Sequence, residues 1–108
     1  MATTYNIIRG TTYLGFNVES TTVNGDFVDL TDATIIVEVI GEKKGCAKHT
    51  YTIGKGVEIT NAVEGGFIIL QDTVINWDYG KWYLIVTITT AVYGTKKWIY
   101  KDRIFNIV

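Results

Sequence analysis

The stretch Trp82-Tyr83-Leu84-Ile85-Val86-Thr87-Ile88-Thr89 carries the strongest structural signal in the chain. Trp82, Leu84, Val86 and Ile88 alternate with Tyr83, Ile85, Thr87 and Thr89, and a period of two puts successive side chains on opposite faces of a strand. All eight residues are aromatic, β-branched or leucine, types that suit a pleated surface. The second face is also partly apolar, which a strand with one side in water does not need.

Working outward, Ala91 to Thr95, with Gly94, predicts a hairpin connection, and Lys96 to Val108 returns as the last strand. Trp98 and Tyr100 lie in one phase and Phe105 and Ile107 in the other, so a bulge is expected near Lys101 to Ile104. Before Gly80, Asp72 to Tyr79 reads as an irregular crossing with room for one helical turn, in which Ile75 or Trp77 plugs the end of the core. Gly65-Gly66 introduces a compact apolar strand, Phe67 to Gln71.

Further upstream, Ala33, Ile35, Val37 and Val39 share one face of a strand whose other face carries Thr34, Ile36, Glu38 and Ile40. The run Thr12 to Glu19 alternates too, with Thr12, Leu14, Phe16 and Val18 on one face, and Tyr5 to Arg9 forms a first strand. Asn24-Gly25 suits a tight turn. Gly41 to Ala47 reads as an exposed loop, followed by short strands Lys48 to Ile53 and Val57 to Thr60.

Turn signals every eight to twelve residues predict an all-β chain. About seven strands in antiparallel succession point to an Ig-like β-sandwich, with a small β-barrel as the alternative. The Cys and Trp spacing of antibody domains is absent, so the likeness is one of architecture.

The 108 residues suit one domain, 1–108. Hydrophobic residues at 47% and charged residues at 19% can build a packed core. Net charge is -1, and cations cluster only as the pairs Lys43-Lys44 and Lys96-Lys97, so no nucleic-acid partner is expected. Met1 to Asn6 lack the basic and apolar regions of a signal peptide, and no apolar run reaches 18 residues, so neither export nor membrane insertion is expected. A single cysteine, Cys46, leaves no internal disulfide and no Cys-based metal cluster.

Catalytic chemistry finds little material. His49 is the only histidine and Ser20 the only serine, and they fall on different elements, so a nucleophile–base site would rest on single copies. His49 reads as an exposed residue at a strand start. Asp26, Asp29 and Asp32 lack calcium-loop spacing and read as turn residues. Gly54-Lys55-Gly56 lacks the length and the following Ser/Thr of a phosphate loop. No enzyme activity, cofactor or metal is expected.

Aromatics crowd the last third of the chain. Trp82 and Trp77 read as core, and Tyr83, Tyr93 and one of Trp98 or Tyr100 read as exposed. With Ile36, Ile40 and Ile85 they would give an outer sheet face more apolar than a lone monomer usually shows. The interface candidates are therefore Ile36, Ile40, Tyr83, Ile85, Tyr93, Trp98 and Tyr100.

The order of short motifs also resembles small β-sandwich domains of tailed-bacteriophage virion proteins, including the amino-terminal domain of baseplate upper proteins. The matching residues are Arg9-Gly10, Leu14 with Phe16, Asp29-Leu30-Thr31-Asp32-Ala33, Gly66, Asp72-Thr73, Trp77-Asp78-Tyr79-Gly80-Lys81-Trp82 and Phe105-Asn106-Ile107. Asp32 stands where that family has Gly, Trp77 for Leu, Trp82 for Tyr, and Asp102 or Arg103 for a late Gly. The resemblance spans nearly the whole chain, and its matching positions are turn formers and core residues. It implies a fold and a virion context, and it brings no binding residue.

Three functional expectations follow. The first is a virion structural or assembly protein of tail, baseplate or head, binding other virion proteins as a homo-oligomer or in many copies, and cytoplasmic in the host before assembly. Its mechanism is burial of the apolar outer face plus pairing of a strand edge. The second is a carbohydrate-binding or host-adhesion module that holds a glycan on exposed aromatics. The third, an enzyme, has almost no residues to work with.

Overall fold

The computed structural model describes residues 3–22, 24–43 and 48–108, and leaves out the side chains of residues 3, 98 and 100–103. Ten strands follow one another, and no helix occurs among the described residues: β1 Thr3–Ile7, β2 Thr12–Tyr13, β3 Phe16–Glu19, β4 Thr34–Gly41, β5 His49–Ile53, β6 Gly56–Asn61, β7 Gly66–Ile69, β8 Thr73–Val74, β9 Gly80–Thr90 and β10 Gly94–Ile107. Eight of them form one sheet in the order β1-β10-β9-β4-β5-β6-β7-β3, and β2 pairs with β8 apart from it.

The sheet curls into a half-barrel. Phe16, from one edge strand, lies 6.2 Å ring to ring from Phe105, which sits beside the other edge. Curling is what gives a single sheet an inside, and the core fills it. Ile35, Val37 and Val39 of β4 and Trp82, Leu84, Val86 and Ile88 of β9 are buried, as their alternation predicts. Phe67 and Ile69 of β7 face them, with Leu30, Leu70, Ile75 and Trp77 completing the interior.

The expected succession of about seven antiparallel strands is corrected on two points. The described residues hold ten strands, and the sheet is mixed: β1 runs parallel to the end of β10, and β5 is parallel to β6. A true parallel ladder needs a crossover of a dozen or more residues. Here only Thr52–Gly56 and Ile53–Val57 pair, across the turn at Gly54-Lys55, so the contact is a corner at which the sheet bends back.

Two further expectations change. Asp72 to Tyr79 holds no helical turn but the two-residue strand β8, and both Ile75 and Trp77 are buried. The run Thr12 to Glu19 breaks in the middle: Leu14 is 78% exposed while Tyr13 packs on the core. Gly15 causes the break. Its φ of +90° lies in the region open to glycine, and a Cβ there would stand 2.9 Å from Gln71 Cα. One residue in that conformation reverses the phase, so Tyr13 and Phe16 both point inward.

The bulge expected late in the chain is present. Tyr100 pairs with Leu84 and Ile104 with Tyr83, so three residues of β10 have no opposite number on β9, and Phe105 then comes opposite Trp82. Asn24-Gly25 forms a turn closed by Gly25 N–H donating to Thr22 O at 2.9 Å. Asp29 acts as a turn residue, accepting Thr31 N–H at 2.9 Å and the Thr31 hydroxyl at 2.6 Å through one oxygen, Oδ1. The loop expected over Gly41 to Ala47 lies partly outside the described residues, and Cys46 with it.

Candidate functional site

The outer face of β4, β9 and β10 gathers the apolar residues that the core does not use. Neighbouring antiparallel strands put paired residues on the same face, so the register alone assembles three rows. Ile40 pairs with Tyr83 and Tyr83 with Ile104; Glu38 pairs with Ile85 and Ile85 with Ile99; Ile36 pairs with Thr87 and Thr87 with Lys97. Ile36, Ile40, Tyr83, Ile85 and Ile104 are half-buried against one another, and Ile99 is 48% exposed. At one end the face opens into a groove of about 410 Å³ lined by Glu42, Lys81, Trp82, Tyr83, Ile99 and Ile104.

One carboxylate stands inside this apolar strip. Glu38 Oε2 accepts from Lys48 Nζ at 2.8 Å, and Lys97 Nζ is 4.0 Å from Oε1. The hydrogen bond from Lys48 holds the Glu38 carboxyl below its ordinary value, against the opposing effect of burial. The pair keeps Glu38 charged without leaving an unpaired anion beside the isoleucines.

Four of the seven interface candidates, Ile36, Ile40, Tyr83 and Ile85, are brought together here. Tyr93 is not. It lies in the hairpin between β9 and β10, where its backbone N–H donates to Thr90 Oγ1 at 3.0 Å, and it lines a different cleft. The backbones of Trp98 and Tyr100 pair with Val86 and Leu84, while their side chains lie outside the described residues. Ile99 and Ile104 were missed. The phase break around Lys101 to Ile104 was their signal, since it returns Ile104 to the row of Tyr83.

The remaining aromatics build an interior cluster. Trp77 and Trp82 are each 1% exposed, with ring centroids 5.6 Å apart. Trp77 Nε1–H donates to Tyr51 Oη at 2.8 Å, and Trp82 Nε1–H to the Asp78 carbonyl at 2.8 Å. His49 is not the exposed residue expected. It opens β5 opposite inward-facing Val39, half-buried, with its ring 5.3 Å from Trp82 and 5.9 Å from Trp77.

Burial lowers the His49 pKa from 6.5, outweighing the nearby Asp78 carboxylate, which raises it. Below 6.5 the unfolded chain therefore binds a proton that the folded chain refuses, and stability falls as pH drops through that window. Urea midpoints measured between pH 8 and pH 5 are expected to decline in the native protein, and to decline less in His49→Gln. Glu38 and Asp29, both lowered, act in a separate window below their ordinary values of 4.5 and 3.8.

Tyr79 is 64% exposed, and the Arg9 guanidinium lies 5.6 Å over its ring, tethered by an Nε–H bond to the Trp77 carbonyl at 3.1 Å. Among the described residues no group of three or more His, Cys, Asp or Glu is placed to hold a metal ion. The fold and this face define an all-β protein with a half-barrel core and an apolar strip on the back of its central strands. No family model matches the chain, and no curated protein or solved structure matches it.

Proposed function

We propose that this chain is a non-catalytic assembly module, which binds other protein chains by burying the outer face of β4, β9 and β10. The observation that carries the reading is the continuous strip Ile36, Ile40, Tyr83, Ile85, Ile99 and Ile104. Interface cores are apolar, and the charge inside this strip, Glu38, is neutralised by Lys48 and Lys97. The motif resemblance supports a finer reading, a virion structural protein of a tailed bacteriophage. In that reading the curled sheet is a variant of the Ig-like sandwich whose layers meet at the β5–β6 corner.

The test is incorporation into particles. Virions purified on a density gradient from a producing culture are expected to carry the chain at a fixed ratio to the major structural proteins. The double variant Tyr83→Lys/Ile85→Glu, folded by circular dichroism, is expected to stay in the soluble fraction. Native protein found only in the soluble fraction would remove the virion reading. The alternative, a glycan platform, would draw on Tyr79, under Arg9, and on Tyr93, which are exposed at opposite ends of β9.

A further inference from the structure

Two stretches of strand edge that have no partner strand among the described residues line one cleft. β3 pairs only with β7. Among the described residues β10 is joined by β1 only over Arg103–Ile107, so from Gly94 to Tyr100 it has β9 on one side and no described strand on the other. Between these edges lies an open cleft of about 580 Å³, with Val18, Glu19 and Ser20 on one wall, Gly94 and Lys96 on the other, and Ile88 between them.

Ser20 adds an independent observation. It is 8% exposed, and its hydroxyl has no hydrogen-bond partner among the described residues. Thr90, equally buried in the same cleft, has its hydroxyl engaged by the Tyr93 N–H. Buried hydroxyls are nearly always paired, so the exception marks a place where a partner group is missing.

The size of the cleft fits a strand. A rise of about 3.3 Å, a strand spacing of about 4.8 Å and a sheet spacing of about 10 Å give each strand residue on the order of 160 Å³. The cleft therefore holds roughly four residues, the length of the β3 edge. Glu19 and Lys96, both exposed, stand on opposite walls with opposite charge.

We propose that the cleft receives an extended segment of a partner polypeptide, laid between β3 and β10 so that its backbone bonds to both edges and closes the half-barrel. The outward face of such a segment would set a cation beside Glu19, and its inward face a short anion toward Lys96, which shares its face with Ile88. Its inward side chains would be small, with a hydroxyl or backbone group reaching Ser20. This names the strand edge that the assembly reading requires, and rests on that reading only in taking the partner to be a polypeptide.

The experiment uses the full chain and a displayed library of random heptapeptides, followed by synthetic copies of the enriched sequences. Alternating apolar and polar sequences are expected to be enriched. N-methylation of either alternate set of amides is expected to weaken binding about tenfold or more, because a strand between two edges uses both sets. Loss with only one set would mean a single edge and would overturn the insertion, as would indifference to both or the absence of enriched alternating peptides. Peptide binding that falls as protein concentration rises would assign the cleft to a second copy and overturn the foreign partner. Light scattering on the same samples reports the outer-face association separately, so either reading can fail alone.

Discussion

Trp77→Ala is expected to lower the unfolding free energy by about 3–5 kcal/mol, read as a large drop in the urea midpoint by far-ultraviolet circular dichroism. Trp77 is 1% exposed, and its ring meets His49, Tyr51, Trp82 and Phe105, so deletion opens a void that four rings border. The change also leaves the Tyr51 hydroxyl without its indole donor. A domain of this length has a total stability of roughly 5–15 kcal/mol, so part of the Trp77→Ala population is expected to be unfolded at 37 °C. Trp77→Phe keeps a ring in the space and removes the N–H, and is expected to cost less than half as much. Equal losses for the two variants would mean that the hydrogen bond, and not packing, holds this end of the core.

The second large effect is expected at Gly65. Its φ is +72°, and a Cβ would stand 2.5 Å from the Ser20 carbonyl oxygen and 2.8 Å from that of Val28. The Ser20 oxygen cannot retreat cheaply: it accepts Val28 N–H at 3.0 Å, while Ser20 N–H donates to Gly65 O at 2.9 Å. Gly65→Ala therefore adds the left-handed strain of an L residue, about 1–2 kcal/mol, to the weakening of two hydrogen bonds at about 1 kcal/mol each. Gly25→Ala is the control, because φ there is +87° with nothing within 4 Å of the added carbon. It is expected to lose only the strain, about 1 kcal/mol. Matching midpoints for the two variants would show that the loop carrying Gly65 does not dock on Ser20 and Val28 as described.

The parts of the fold that could be read from sequence are those written locally. A two-residue period along Ala33 to Ile40 and Trp82 to Thr89 states which side chains point inward, and burial follows it at every inward position. The β10 bulge was legible because apolar phase cannot switch without extra residues. Leu14 was misplaced because the conformation of Gly15 depends on the backbone of Gln71, which no local pattern reports. The parallel docking of β1 on β10 joins Tyr5 to Phe105 across almost the entire chain, and the β5–β6 corner depends on how the whole sheet curls.

The site divides in the same way. Ile36, Ile40, Tyr83 and Ile85 follow from alternation within two strands that happen to be neighbours. Ile99 and Ile104 join them only through the register of β10, which the bulge sets. Tyr93 was grouped with them by composition, although a turn position has no alternation to follow. His49 looked exposed because a strand start is usually open, and the indoles that cover it come from residues 28 and 33 positions away.

The claim that the outer face is a protein interface is tested most directly by size-exclusion chromatography with light scattering over a wide concentration range. Burial of that face between copies is expected to give masses above the 12.1 kDa of one chain, rising with concentration. Tyr83→Lys/Ile85→Glu is expected to return the mass to that of one chain. Native protein that stays at 12.1 kDa at every concentration, and that joins no particle, would contradict it.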